Sequence, residues 1–431
     1  MKIHFWGATE DVTGSMTFLE TKDALIMVDC GLAQGASNAR ELNLAATPFP
    51  PSSVTAVVIT HAHLDHSGYL PRLVKNGFSG AIYCTPATAK LTRIILLDSA
   101  GLNDDGFYDE ADVQKTLTMI KPVDWGHHFT IGETSLQFLN AGHILGASSV
   151  LLKNDKKNIL FSGDLGRNDD PMLPPVAPAP KVDVVVMEST YGSKNREGDI
   201  QKELHSFLAT VADRSRVGII ASFAVARGQS LLTLIHEFYE AHPQFRAKVV
   251  MDSPMMKEAN KVYQQFALLT KRPKELYQAL DRIDAIDSRG EFDKLRKKSG
   301  PLVIVSSSGM LTGGRIARHL ENWHDDDEAI LFLPGYQGMG TPGRSFLDGN
   351  RTLKNKWGET FTWSGEVWNS DAFSSHADQS ELIDWVSTHN KDSAVFLLHG
   401  ETSSKEALRD KLAETNQGRV TIPHRGSVYQ V

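Results

Sequence analysis

Cysteine is scarce in this chain: Cys30 and Cys84 are the two in 431 residues. Two thiols are too few for a disulfide framework, so a reducing cytoplasm is the expected compartment. Long apolar runs are missing as well. Stretches such as Val184-Val185-Val186-Met187 are far too short to span a bilayer. Met1-Lys2-Ile3-His4-Phe5-Trp6 alternates like a strand and lacks the apolar core of a secretory signal. No membrane partner is expected. Nor is there an excess of positive charge, with 45 Lys+Arg against 52 Asp+Glu and a net charge of −7. That excludes a surface coated for nucleic acid without excluding a local basic groove. Two bound divalent cations would offset four of those seven negative charges. Internal repeats and low-complexity tracts are absent. Hydrophobic residues make up 41% and charged residues 23%, an ordinary globular balance in a length that fits two or three domains.

The first part of the chain reads as short strands that stop at turns. Ala24–Val28 runs into Asp29-Cys30-Gly31, Val54–Thr60 into His61, Ile159–Ser162 into Gly163-Asp164, and Val182–Met187 into Glu188. These runs are rich in β-branched residues and bounded by glycine or polar residues. Each delivers a metal-binding or acidic side chain where the strand ends. Pro171, Pro174, Pro175, Pro178 and Pro180 mark an extended loop. After Tyr191-Gly192 strands and helices alternate: a helix over 200–213, a strand at 217–221, a helix from Gly228 to Ala241, a strand at 248–251, helical patterns to about 280, and a strand at 302–305. Alternation of that kind predicts a second, largely parallel α/β unit. Ala394–Leu398, His399-Gly400-Glu401 and a helix near 403–415 return to the first style. The reading is therefore an insertion: a first domain of residues 1–190, an inserted domain of 191–368, and completion of the first by 369–431.

His61-Ala62-His63-Leu64-Asp65-His66 puts four potential metal ligands into six residues after an apolar strand. Imidazole nitrogen and carboxylate oxygen both suit divalent zinc. On an extended strand end His61 and His63 point the same way, and a turn into a helix near Ser67 would swing Asp65 and His66 toward a neighbouring point. Two clustered metals then need ligands from elsewhere. The sequence offers His143 in Ala141-Gly142-His143, Asp164, and His399. Singly, a histidine or aspartate at a strand end is more often a cap or a hydrogen-bonded loop residue. The six-residue cluster reverses that expectation.

The set Asp29, His61-His63-Asp65-His66, His143 and Asp164 resembles the metallo-β-lactamase superfamily. Glu188 in Glu188-Ser189-Thr190-Tyr191-Gly192, His376 in Phe373-Ser374-Ser375-His376-Ala377-Asp378, and His399 resemble the three extra motifs of the β-CASP nucleases. Gly7 with Val12-Thr13-Gly14-Ser15, Ser222–Gln229, Asp252-Ser253-Pro254-Met255 and Ser307–Arg315 extend the likeness to the nuclease subunit of the mRNA 3′-end cleavage and polyadenylation machinery and its prokaryotic relatives. The resemblance implies an α/β fold, a metallo-β-lactamase αββα sandwich with an inserted parallel-sheet β-CASP domain. Ser375 stands where the family usually has glycine. The N-terminal RNA-binding extension of many archaeal members and the C-terminal domain of ribonuclease J are not matched, so targeting by such domains is not expected.

Carried over, the resemblance implies two Zn2+, with manganese as an alternative that the ligand set tolerates. One would be held by His61, His63 and His143, the other by Asp65, His66 and His399, with Asp164 and a hydroxide bridging. The expected activity is hydrolysis of single-stranded RNA in a cleft between the domains, mainly endonucleolytic with 5′-end trimming left open, leaving 5′-phosphate and 3′-hydroxyl. Catalytic roles fall to Asp65, to His376 as proton donor or positive contact for the leaving oxygen, and to Glu188, which orients it. Asp29 is either a carboxylate holding a ligand histidine or a turn acid. Ser307, Ser308, Gly309 and Met310, between a strand and a helix beginning near Thr312, are expected to grip a substrate phosphate, with Arg227, Arg315 and Arg344 as phosphate contacts.

Lys294-Leu295-Arg296-Lys297-Lys298 reads as a solvated helix face. Gly335–Gly349 lacks a GxxxxGK[ST] pattern and is not read as an ATP site. Met255, Met256, Trp323, Trp357, Trp363 and Trp368 read as packing residues. His127-His128 are read as structural. Other readings are a DNA nuclease or another hydrolase of this fold, and a non-catalytic RNA-binding scaffold. An inserted domain roofing the site argues against a small-molecule substrate, and the filled ligand positions argue against a silent scaffold. Homodimerisation is left open.

Overall fold

The computed structural model describes residues 1–35, 38–102, 106–154, 157–214, 216–296, 300–338, 340–355, 357–415 and 418–431. They form two compact units, Met1–Asn195 with Ser375–Val431, and Arg196–Ser374.

The first unit holds two seven-stranded sheets. One runs, in spatial order, Val428–Gln430, Lys2–Phe5, Thr17–Glu20, Leu25–Val28, Ala56–Val58, Ala81–Cys84 and Ile120–Pro122. The other runs Val420–Thr421, Ala394–Leu397, Val184–Met187, Asn158–Phe161, Ser148–Lys153, Thr134–Asn140 and His128–Ile131. Ile26, Val28, Ala56 and Val58 of the first sheet share a buried cluster with Phe138, Leu152, Ile159, Phe161, Val184 and Val186 of the second. The sheets therefore pack face to face. Met27, Val57, Ile82 and Cys84 point the other way and pack with Leu70, Leu73, Leu96 and Val113 of covering helices. This explains continuous apolar runs where a half-exposed strand would alternate: both faces are covered, and residue parity decides which layer a side chain enters. Helices Gln379–Ser387 and Thr402–Glu414 bury Leu382, Val386, Leu408 and Leu412. The chain's last strand closes back on its first.

The second unit is built on a six-stranded parallel sheet in the order Asp284–Ala285, Lys248–Asp252, Leu302–Ser306, Val217–Ala221, Ile330–Pro334 and Glu366–Ser370. Ile220, Val303 and Val305 face one buried layer with Phe207, Leu231 and Phe238. Ile219, Leu302 and Ile304 face the other with Ile316, Leu320 and Trp363. The helix expected near Thr312 starts instead at Arg315, with Gly314 as its N-cap. Gly313 and Gly314 have φ of 152° and 76°, and that backbone cannot belong to a right-handed helix. Met256, Trp323 and Trp363 are buried, whereas Trp357 is 68% exposed in the turn between Thr352–Lys354 and Thr360–Thr362. Lys294 is exposed on helix Arg289–Arg296; Lys297 and Lys298 lie outside the described residues. His127 and His128 are exposed. Among the described residues no helix is long and apolar enough to cross a membrane.

Candidate metal centre

Parallel pairing sets strand ends side by side. Leu25–Val28 and Ala56–Val58 are parallel, as are Asn158–Phe161, Val184–Met187 and Ala394–Leu397. Their carboxyl ends release Asp29, His61, Asp164, Glu188 and His399 at one edge of the first unit. The chain leaves Ala56–Val58 extended through His61 and His63, then enters helix Leu64–Ser67, which turns Asp65 and His66 to a second point. Gly31 admits the close approach this requires, since a Cβ there would lie 1.7 Å from the Asp65 carbonyl oxygen.

His61 Nε2 lies 3.1 Å from His63 Nδ1, which lies 3.2 Å from His143 Nε2. Asp164 Oδ2 stands 3.6 Å from both His61 Nε2 and His143 Nε2. Four donors bound at about 2.0–2.1 Å around a tetrahedral ion would be about 3.3–3.4 Å apart, so this cluster has the size of a coordination shell. A second cluster adjoins it. His66 Nε2 is 3.2 Å from His399 Nε2, and His399 Nε2 is 3.3 Å from Asp65 Oδ2. The other oxygen of Asp164, Oδ1, lies 3.2 Å from His66 Nε2. Asp164 thus offers one oxygen to each cluster. Its Oδ1 is buried with no hydrogen-bond partner of adequate geometry, an arrangement that a cation would satisfy. All seven side chains come together in two groups that could each hold a metal ion.

The far sides of the rings are held by the protein. His66 Nδ1 is 2.7 Å from Asp29 Oδ2. Thr60 donates its backbone N–H to Asp29 Oδ1 at 2.8 Å and its hydroxyl to Asp29 Oδ2 at 2.9 Å, and that hydroxyl is 3.1 Å from His61 Nδ1. His143 Nδ1 lies 3.2 Å from the Ser375 carbonyl, and His399 Nδ1 lies 3.2 Å from Thr190 Oγ1. Such outer contacts fix ring orientation and tautomer. The sequence reading singled out neither Thr60 nor Thr190; the available signal was their position beside His61 and Glu188. Asp29, at φ 58°, is shown to be a histidine-holding carboxylate rather than only a turn acid.

Glu188 accepts the Leu165 N–H at 2.6 Å, and both its oxygens lie 3.2 Å from His376 Nδ1. The His376 ring packs 4.5 Å from that of His143, and its side chain is 20% exposed. His376 therefore borders the clusters while one side stays open.

Burial, reinforced by neighbouring imidazoles, pushes His61 and His143 well below the usual histidine range, and burial brings His63 down to about 4. Neutral rings keep lone pairs free for a metal. At His66 burial opposes the charge, but Asp164, Asp29 and Asp65 outweigh it and raise the pKa well above normal. At Asp65 burial is likewise overcome, by His66 and His399, which hold the carboxyl near 2. At His376 burial is overcome by Glu188, and the pKa rises.

Ser307, Ser308, Gly309, Met310 and Arg315 belong to the second unit. Arg315 donates to Asp252 Oδ1 and to the Ile286 carbonyl, Arg344 pairs with Asp348 at 2.9 Å, and Arg227 donates to the Phe373 carbonyl at 3.1 Å. The loop is separated from the helix start at Arg315 by the two glycines.

A two-sheet sandwich whose strand ends carry imidazole–carboxylate clusters joined by one aspartate is the build of a metal-dependent hydrolase. Family models agree: residues 9–219 match the metallo-beta-lactamase superfamily, 228–346 the Beta-Casp domain, and 365–423 the Zn-dependent metallo-hydrolase RNA specificity domain. The chain belongs to the metallo-beta-lactamase superfamily, in its Beta-Casp branch of metal-dependent hydrolases. It is 32% identical to Ribonuclease TTHA0252 of Thermus thermophilus, over 97% of each chain. It is 28% identical to the Cleavage and polyadenylation specificity factor subunit 3-I of Arabidopsis thaliana, covering 94% of this chain and 60% of that longer one. A solved structure of a protein of unknown function from Enterococcus faecalis shares the fold, with TM-score 0.61, 16% identity and 99% of both chains covered.

Proposed function

We propose that the protein is a zinc-dependent ribonuclease that hydrolyses single-stranded RNA, mainly internally, leaving 5′-phosphate and 3′-hydroxyl ends. The observation that carries this is the sharing of Asp164 between two ligand clusters, in a chain whose relative over 97% of both lengths is named a ribonuclease. His61, His63 and His143 would hold one ion, Asp65, His66 and His399 the other, and Asp164 both. When bound, such a pair acidifies water and stabilises charge on a phosphodiester. The protein's own groups do the rest. Asp29 and Thr60 hold the ligand rings in their metal-facing tautomers. Glu188 keeps His376 oriented and protonated, so that it delivers a proton to the leaving oxygen. Ser307, Ser308, Gly309, Met310 and Arg315 are the proposed substrate contacts, Arg315 with its side chain 29% exposed. Zinc is favoured over manganese by the preponderance of imidazole donors. The free, buried Cys30 and Cys84 suit the cytoplasmic location included in this reading.

Labelled RNA, single-stranded DNA and a lactam or thioester substrate, each with and without chelator, test the assignment. Chelator-sensitive cleavage of RNA with 5′-phosphate ends is expected. Preferential DNA or small-molecule turnover, or fewer than two metals per active chain, would overturn it.

A further inference from the structure

Lys405 is the single buried lysine among the described residues, 1% exposed, and nothing in the proposed chemistry uses it. It lies on helix Thr402–Glu414, which follows His399. Its ammonium donates to the Thr9 carbonyl. The backbone N–H of His399 donates to the preceding carbonyl, that of Ala8, at 2.8 Å. Consecutive carbonyls of one loop thus accept from one segment of chain, first from the backbone of a proposed ligand and then from the lysine.

Between strands Lys2–Phe5 and Thr17–Glu20 that loop has no strand or helix of its own, and Ala8 sits at φ 52°. Gly7 and Ala8 line the same cavity as His66, Asp164, Glu188 and His399. His399 itself has φ 50°, a sparsely populated conformation for a non-glycine residue that its surroundings must enforce. Movement of the loop would shift a wall of the metal cavity and the acceptor that fixes the His399 backbone.

A buried ammonium is a costly choice for this task unless it holds something. Burial drives its pKa down, opposed by Glu10, Asp11 and Glu406. A methionine would fill similar space without desolvating a charge.

We infer that Lys405 is a positioning residue that clamps the loop at Ala8–Thr9 against the segment carrying His399 and thereby sets the metal affinity of the Asp65–His66–His399 cluster. The inference rests on the two-metal reading. It is tested by titrating the metal-free full chain with Co2+, following visible absorption, for wild type, Lys405→Met, Lys405→Arg and Asp65→Asn, with thermal melts alongside. Wild type should bind two equivalents. Lys405→Met should weaken, by about tenfold or more, the same step that Asp65→Asn removes, with the other step and the metal-free melting temperature retained. Lys405→Arg should restore that step to within about threefold of wild type. Lys405→Met binding both equivalents normally, or losing both equally with a lowered melting temperature, would overturn the inference. If the methionine variant does not fold, a folded arginine variant decides, and a weak second step there overturns it. Wild type binding fewer than two equivalents is a different failure, that of the two-metal reading itself.

Discussion

Asp164 in the first unit and Asp252 in the second are 2% and 1% exposed, and both face histidine, yet their surroundings differ. Asp252 ends strand Lys248–Asp252 and is closed by a cation the chain supplies: Arg315 on one oxygen, and His319 Nε2 at 2.8 Å on the other. Asp164 has only imidazoles as ion-pair partners among the described residues. Around it stand the further carboxylates of Asp29, Asp65 and Glu188. Against these four, His66 and His376 are the rings whose pKa is raised, while His61, His63 and His143 are held neutral. A carboxylate balanced by a resident guanidinium is a structural brace. A carboxylate among carboxylates that outnumber the imidazoles with raised pKa, with three neutral rings beside it, is suited to recruit a cation from solution.

That contrast can be broken experimentally. Asp164→Asn should cost the largest effect, loss of both metals and a fall in RNA hydrolysis of about a thousandfold or more, read by metal analysis and initial rates. His376→Ala should keep the metals while lowering kcat by about 10²–10⁴-fold; a retained rate removes His376 from the proton transfer. Asp29→Asn should weaken metal binding by about 10–100-fold, measured by competition with a chelator. Asp252→Asn should leave metal content unchanged and destabilise the second unit by about 2 kcal/mol, the scale of hydrogen bonds to charged groups, measured by urea denaturation.

The smallest effect sharpens the comparison through pH. Burial raises the pKa of Asp252, but His319 and Arg315 outweigh it and leave the pKa below its ordinary 3.8. A carboxyl with a depressed folded pKa contributes stability that is full above the unfolded value and lost as pH falls through the folded one. The urea midpoints of wild type and Asp252→Asn should therefore differ at about pH 5 and draw together as pH falls below 3.8 and through the depressed folded value. Midpoints that stay equally apart in acid would show that the pair does not act through ionisation.

Local pattern was enough to identify strand ends and ligand types, because an apolar run covered on both faces and a dense His/Asp cluster are both local properties. The pattern places a helix start near Thr312, but Gly313 and Gly314 adopt positive φ, which composition permits without requiring, and the helix starts at Arg315. Residue type alone makes Trp357 a packing residue, and only its place in a hairpin turn leaves it exposed. Thr60 and Thr190 were not legible as ring supports, since a threonine beside a motif carries no signature until its hydroxyl has a direction.

The sequence alone determined which side chains were available: seven metal-ligand types at strand ends, an acid–histidine pair, and too few cysteines for a disulfide framework. Tertiary structure decided which of them meet. Face-to-face packing of the two sheets brought His66 and His399 to 3.2 Å across the length of the chain, placed one oxygen of Asp164 toward each cluster, and folding of the second unit paired Arg315 with Asp252. The physical reason is that ligand chemistry is a property of residue type, whereas charge balance and coordination distance depend on neighbours that only folding brings together.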